Sequence, residues 1–466
     1  MENFWDSNTW GTYLILGILF VSLLLANVLK RKIPLLRKSL IPTSVLGGAL
    51  ILVAEGLFKL ISGGNAMFDM AIFGGKAVST LEVLTYHCLA LGFIASTLKA
   101  SDAKMNKKRT VEIFNTGVTT VSTYLMQAIL GFGITMIAAL FIKGFFISAG
   151  VLLPFGFGQG TGQAMNYGTI YETQYGFVGG KSFGLTIAAL GFLSAAIGGV
   201  IHLNILRKTK KIKLDEAAKH VLRNDEIEEE NEIPMQDSLD KMTVQVALVA
   251  VSYLLAYGLM VLLGSVLPGM KSVIYGFNFL LGVLAATLVK FVLKLLKKSN
   301  LMHRNYTNNF LLTRISNFFF DVMVVAGVAA IRLDTLENYW GIMLILGVVG
   351  LVSTYAYNHF VAKKLFPEYP EEQFLMMYGM LTGTASTGTI LLREIDGDFK
   401  TPAADNMVYQ NFPAIVFGFP MMLLATLAPE KPGLTMVILV LFFIAMNIIL
   451  FRSFIFKKKS KANAGK

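Results

Sequence analysis

Residues Gly156-Phe157-Gly158-Gln159-Gly160-Thr161-Gly162 set a glycine at every second position of an otherwise apolar region. A membrane helix with that spacing is too broken to be an ordinary span. The second half holds a weaker echo, Gly379-Met380-Leu381-Thr382-Gly383-Thr384-Ala385-Ser386-Thr387-Gly388-Thr389. Both stretches carry small hydroxyl or amide side chains and no carboxylate. Interrupted apolar segments at corresponding places in two halves of a membrane protein are the best sequence pointer to a transporter's binding site. Helix packing is the plainer alternative, since small residues let membrane helices approach.

The surrounding composition sets the class. The chain has 466 residues, 55% hydrophobic and 15% charged, with a mean hydropathy of +0.61. That is a polytopic membrane protein. The net charge of +12 reads as basic cytoplasmic loops rather than nucleic-acid binding. The single cysteine, Cys88, excludes an intrachain disulfide and a multi-cysteine zinc site. No cofactor and no transition metal are expected. Met1 to Trp10 carries Glu2 and Asp6 but no basic residue, so a cleavable signal peptide is not expected.

Apolar runs predict spans over 11–30, 42–61, 80–98, 112–142, 182–206, 242–266, 272–296, 308–331, 339–363, 405–428 and 434–456. Broken segments fall at 145–170 and 374–392. The expected fold is all-α, with about 11 transmembrane helices and two re-entrant hairpins. Lysine and arginine alternate with the loops. Loops after the first, third, seventh, ninth and last spans are basic, and the intervening ones are nearly bare. This puts the N-terminus outside and the C-terminus in the cytoplasm. The count closes only if each broken segment returns to the side it left, the first from outside and the second from inside. Two halves of opposite orientation follow, 1–206 and 242–430. A charged cytoplasmic connector, 207–241, joins them, and 431–466 adds a span and a basic tail. A short helix is expected over 214–223.

A half-helix start offers unpaired N–H groups to an anion, and a half-helix end offers carbonyls to a cation. The substrate-binding set is therefore Gly160, Thr161, Gly162, Gln163, Ser386 and Thr387, with Arg393 to meet a carboxylate in a bidentate fork. Within the spans, Asp321 is the clearest ionisable residue. Asn317 lies one turn earlier and shares its face. The sodium set is Asn317, Asp321, Gln159 and Thr384, oxygen-bearing side chains that suit a hard cation. Arg314 could instead pair with Asp321. Pro413 and Pro420 are expected to kink the tenth span.

At the two glycine stretches the sequence resembles the bacterial sodium/glutamate symporter family. That family's Gly-x-Gly-Thr-Gly is matched by Gly158-Gln159-Gly160-Thr161-Gly162. Its second motif, Gly-x-Gly-Ala-Thr-Pro-Thr-Ala, corresponds to Gly383 through Ile390, with Ala385 for the second glycine and Gly388 for proline. The resemblance implies a Na+-coupled carrier of glutamate-like anions in the bacterial inner membrane, with inverted five-span halves and a homodimer. The alternatives are a proton-coupled carboxylate carrier using Asp321, or an ion channel built on glycine/threonine loops. An enzyme is not expected: no Lys-Ser/Thr follows the glycine run, and no His-Glu-x-x-His pattern occurs.

Overall fold

The computed structural model describes residues 4–99, 106–209, 232–235, 238–268, 271–336, 338–397 and 400–455. Most of the connector, including 214–223, and the basic tail beyond residue 455 lie outside the described residues. Long helices dominate: α1 Ser7–Lys32, α2 Thr43–Ile61, α3 Ala77–Leu98, α4 Lys107–Phe141, α5 Leu152–Tyr175 and α6 Gly180–Thr209. The second half continues with α7 Lys241–Val266, α8 Asn278–Lys298, α9 Asn309–Ala329, α10 Trp340–Leu365, α11 Pro370–Thr382 and α12 Ala385–Arg393. The chain closes with α13 Ala403–Tyr409, α14 Asn411–Leu427 and α15 Pro432–Leu450. Among the described residues, ten helices are long and apolar enough to cross a membrane, or eleven if the bent pair α13–α14 is one span. The protein is an all-α multi-pass membrane protein.

Local chemistry starts and stops these helices. Asn106, Asp240 and Asn308 cap α4, α7 and α9, their side-chain oxygens accepting from Arg109, Met242 and Leu311 N–H at 2.9, 2.8 and 2.7 Å. Lys30, Arg31 and Lys32 crowd the negative end of α1. In α4 the hydroxyls of Thr116, Thr119, Thr120 and Thr123 bond back to carbonyls four residues earlier, so they are satisfied within the helix.

Small residues set the crossings. Gly47 and Gly48 of α2 receive Val325 and Val328 of α9. Gly282 of α8 receives Ile94 of α3 in the corresponding way. Between them α3 and α9 cross directly, where Phe320 covers Gly92 and the Ser316 hydroxyl donates to the Gly92 carbonyl at 2.9 Å. These helices, with α1 and α7, form one bundle. A second bundle gathers α5, α6 and α10 to α15 around α4. Leucines and isoleucines such as Ile61, Leu140 and Leu254 project from the outer surface, as a lipid-facing wall requires.

The tenth span is bent, as its prolines lead one to expect: α13 and α14 meet at Gln410 with a 52° bend. Pro413 has no N–H for the Tyr409 carbonyl, and its ring crowds that carbonyl, which puts the break in the turn just before the proline. The end of the connector packs into the protein. Glu232 and Lys241 form an ion pair at 2.6 Å with both side chains 1% exposed, and the Asn308 amide donates to the same carboxylate at 2.7 Å. Removing one partner of a buried pair strands the other charge. Glu232→Ala is therefore expected to destabilise the protein by about 3–5 kcal/mol, read as a lowered thermal-unfolding midpoint in detergent.

Candidate functional site

Both glycine stretches fold into helical hairpins. In the first, α5 breaks at Gly160, whose φ of 79° and ψ of −171° are open only to glycine. Phe155 and Tyr167 flank that break and stack with ring centroids 3.9 Å apart. In an unbroken helix, 12 residues would separate them by roughly 18 Å. The chain thus doubles back at Gly160, with Leu152 to Gln159 as the first arm and Thr161 to Tyr175 as the second. The segment 145–151, expected inside the broken region, is instead turns and a short 3-10 helix at Ala149–Val151.

The second hairpin turns at Gly383 and Thr384, between α11 and α12. A Cβ on Gly379 would lie 2.7 Å from the Cα of Gly388, so these arms are packed backbone to backbone. The two tips meet. A Cβ on Gly160 would lie 3.5 Å from Thr384 Cγ2 and 3.8 Å from the Gly383 carbonyl oxygen.

A hairpin tip exposes carbonyls ending one arm and N–H groups starting the next. The α4 side chains satisfy some of the carbonyls. The Tyr124 hydroxyl donates to the Gly158 carbonyl at 3.0 Å. The Gln127 amide donates to the Leu381 carbonyl at 3.0 Å and to the Thr354 hydroxyl at 2.9 Å. The N-cap of α12, Thr384, makes no side-chain bond to that helix's first N–H groups. Those donors remain oriented toward the tip.

Beside the tips lies a cavity of about 160 Å³. Gly158, Gln159 and Gln163 line it from the first hairpin, and Gly383, Thr384 and Ala385 from the second. Thr120 and Tyr124 of α4, Phe320 and Met323 of α9, and Gln410 and Asn411 at the α13–α14 bend add to its wall, much of which is apolar, with Leu89, Phe93, Phe279 and Met422 among its residues. None of its lining residues is charged. The side-chain amide nitrogens of Gln159 and Gln163 are buried without a hydrogen-bond partner in the protein. Both can donate to an acceptor in the cavity.

The sequence-derived sites divide. Gly160, Gln159, Gln163 and Thr384 stand at the tips. Thr161 is fully buried there, its hydroxyl 3.4 Å from the Met323 carbonyl and its side chain against Gly327 of α9. Gly162 packs on Leu89. The Thr387 hydroxyl lies 3.4 Å from that of Thr384. Ser386 is in the first turn of α12. Arg393 is not at the tip: it is exposed at the far end of α12, roughly 12 Å along the helix axis from Ala385. Asn317 and Asp321 do share a face of α9, but it is the exposed face. The Ser44 side chain of α2 reaches Asp321 there, while Met323 and Phe320 face the cavity. A helix presents different neighbours every 100°, and the i, i+4 spacing does not say which side meets the hairpins. Arg314 lies over the Phe310 ring at 4.9 Å.

Sequence reasoning passed over Tyr124, Gln127, Gln410 and Asn411. A signal was available for the first two: residues 115–127 carry polar side chains nearly every turn inside an apolar span. Searched against models of protein families and against curated proteins, the chain matches none.

Proposed function

We propose that the protein is a secondary transporter, not an enzyme, that carries a glutamate-like carboxylate anion together with Na+ by alternating access. The observation that carries this reading is the meeting of two hairpin tips, Gly160 against Thr384, beside an uncharged, largely apolar cavity into which a few neutral donors and acceptors converge. Half-helix N-termini stabilise the substrate's carboxylates, and the Gln159 and Gln163 amides supply further donors. Uncapped carbonyls and the Gln159 and Thr384 oxygens offer hard ligands to Na+. No other cofactor is required.

In this reading the hairpins are re-entrant, the first from outside and the second from the cytoplasm. The halves 1–206 and 242–430 are inverted repeats. The matching glycine crossings, α2 on α9 and α8 on α3, support that relation. Lysine-rich loops support an outside N-terminus and a cytoplasmic C-terminus. The resemblance to sodium/glutamate symporters supports a bacterial inner membrane and a homodimer. The bundle of α1 to α3 and α7 to α9 is the scaffold, and the bundle carrying both hairpins moves against it.

Uptake of labelled glutamate and other carboxylates into proteoliposomes under an imposed Na+ gradient tests the proposal. Substrate accumulation that stops when choline replaces Na+ is expected. No uptake of any carboxylate, or single-channel currents in a planar bilayer, would overturn it. The face of α9 gives a second prediction. Asp321→Asn is expected to leave half-maximal Na+ activation within about twofold, because the side chain lies away from the cavity. A large loss of Na+ dependence would move the cation to the α2–α9 contact.

A further inference from the structure

Outside the tips, three helices bring metal-ligating side chains together. His202 projects from α6, His359 from α10, and Glu371 from the first turn of α11. One ligand atom of each lies within 4.8 Å of the others. His202 Nε2 is already 2.9 Å from Glu371 Oε2. We infer that His202, His359 and Glu371 form a binding site for one divalent transition-metal ion, Zn2+ being the best match, at the base of the second hairpin.

The donor set selects the metal. Two imidazoles and a carboxylate suit zinc and its first-row neighbours, whereas Na+, Mg2+ and Ca2+ take oxygen ligands. With metal–ligand bonds of about 2.1 Å, donor atoms around a tetrahedral ion stand about 3.4 Å apart. The cluster reaches that spacing through small side-chain movements. The second imidazole, His359, stands with its ring centroid 5.3 Å from that of His202, and Phe374 packs against it.

The surroundings resemble those of a built metal site. The Tyr355 hydroxyl is 2.7 Å from His202 Nδ1, and this fixes the ring so that Nε2 faces Glu371. Such an outer partner orients a ligating histidine and tunes its basicity. Tyr355 and His359 are one turn apart on α10. Phe374 covers both imidazoles, with centroids 4.4 Å from His202 and 5.1 Å from His359. His202 and Glu371 are 2% and 7% exposed, so a charge there is shielded from bulk water. Three protein ligands leave a fourth position open to water or a mobile donor.

The location is separate from the tip cavity. Glu371 and Thr382 stand at opposite ends of α11, roughly 16 Å apart along its axis. A bound ion would tie the base of α11 to α6 and α10 and stiffen the arm whose other end carries the tip. This inference does not depend on the transport reading, because ion binding is measured directly.

The test uses the purified full chain in detergent, stripped of metal. It is titrated with Zn2+ by calorimetry and with Co2+ by visible absorption. One ion per chain and a Co2+ ligand-field band are expected, with a higher thermal-unfolding midpoint in Zn2+. His359→Gln keeps the His202–Glu371 contact and is expected to weaken Zn2+ binding at least tenfold. Glu371→Gln is expected to do the same, and Tyr355→Phe to weaken it about 10- to 100-fold as an outer-shell change. Either ligand variant that folds decides the matter. Absence of stoichiometric binding to the unaltered chain, or unaltered affinity in a folded ligand variant, would overturn the site and leave a buried His202–Glu371 hydrogen bond.

Discussion

Gly160→Ala is expected to lower Na+-driven uptake about 10- to 100-fold while the protein remains folded and monodisperse. The space beside Gly160 is not the obstacle, since an added Cβ would meet Thr384 at 3.5 Å, an ordinary contact. The backbone is. With φ of 79° and ψ of −171°, Gly160 occupies a region that residues with a Cβ avoid, at a cost of about 1–3 kcal/mol. The alanine chain can relieve that strain only by reshaping the tip. A reshaped tip shifts the start of the second arm at Thr161 and the Gln159 amide together, and Gln159 is part of the cavity wall that would bind the substrate. One kilocalorie and a third is a factor of ten in rate or affinity, which sets the expected range. Uptake in proteoliposomes measures it, with Gly258→Ala as the control, because no atom lies within 4 Å of a Cβ there. Near-normal uptake by Gly160→Ala would mean that the tip conformation is irrelevant to transport.

Gly150→Ala is expected to fail at folding instead. Gly150 lies in the turn before the first hairpin, and its backbone touches that of Gly131 on α4. A Cβ at residue 150 would overlap the Gly131 carbonyl and lie 2.7 Å from the Thr135 hydroxyl. That hydroxyl accepts from the Gly150 N–H at 3.1 Å and donates to the Ile147 carbonyl at 2.7 Å, so it holds the turn against α4. No flexible side chain is available to swing aside. Either the helix pair separates or the turn gives up its hydrogen bonds. A loss of about 3 kcal/mol or more follows, since overpacking against backbone exceeds the usual side-chain cost. The yield of monodisperse protein and its unfolding midpoint in detergent measure the effect. Expression and stability equal to those of the unaltered chain would refute the close approach.

These two glycines also show what a sequence reader can and cannot see. Gly160 is recognisable, because alternating glycines in an apolar segment have few structural uses. Gly150 sits in Ser148-Ala149-Gly150-Val151, which nothing in the local pattern distinguishes from other loop glycines. Its importance comes from Gly131, which is remote in the chain and on another helix. Arg393 shows the same dependence on the fold: it lies close to the glycine motif in the chain, and the nine residues of α12 carry it to the opposite end of the hairpin arm. Which neighbour Asp321 meets, here Ser44 of α2, depends on rotation about the helix axis, which spacing leaves undetermined.

What the sequence determined by itself was local and one-dimensional. Apolar length set the helices to within about six residues at their ends, because each backbone must satisfy its own hydrogen bonds in lipid and the hydrocarbon thickness sets a minimum length. Glycine spacing located both hairpin breaks, since the φ and ψ of a sharp reversal exclude other residues at Gly160. Only the tertiary structure decided which faces meet. It set the two tips against each other and turned Asp321 outward. It also drew Tyr124 and Gln127 onto the tip carbonyls and gathered His202, His359 and Glu371 from three helices. Each of these depends on helix rotation and on crossings between segments far apart in the chain. Those are settled by the packing of glycines against larger side chains on other helices, such as Gly48 on Val328 and Gly92 on Phe320, and no single segment encodes them.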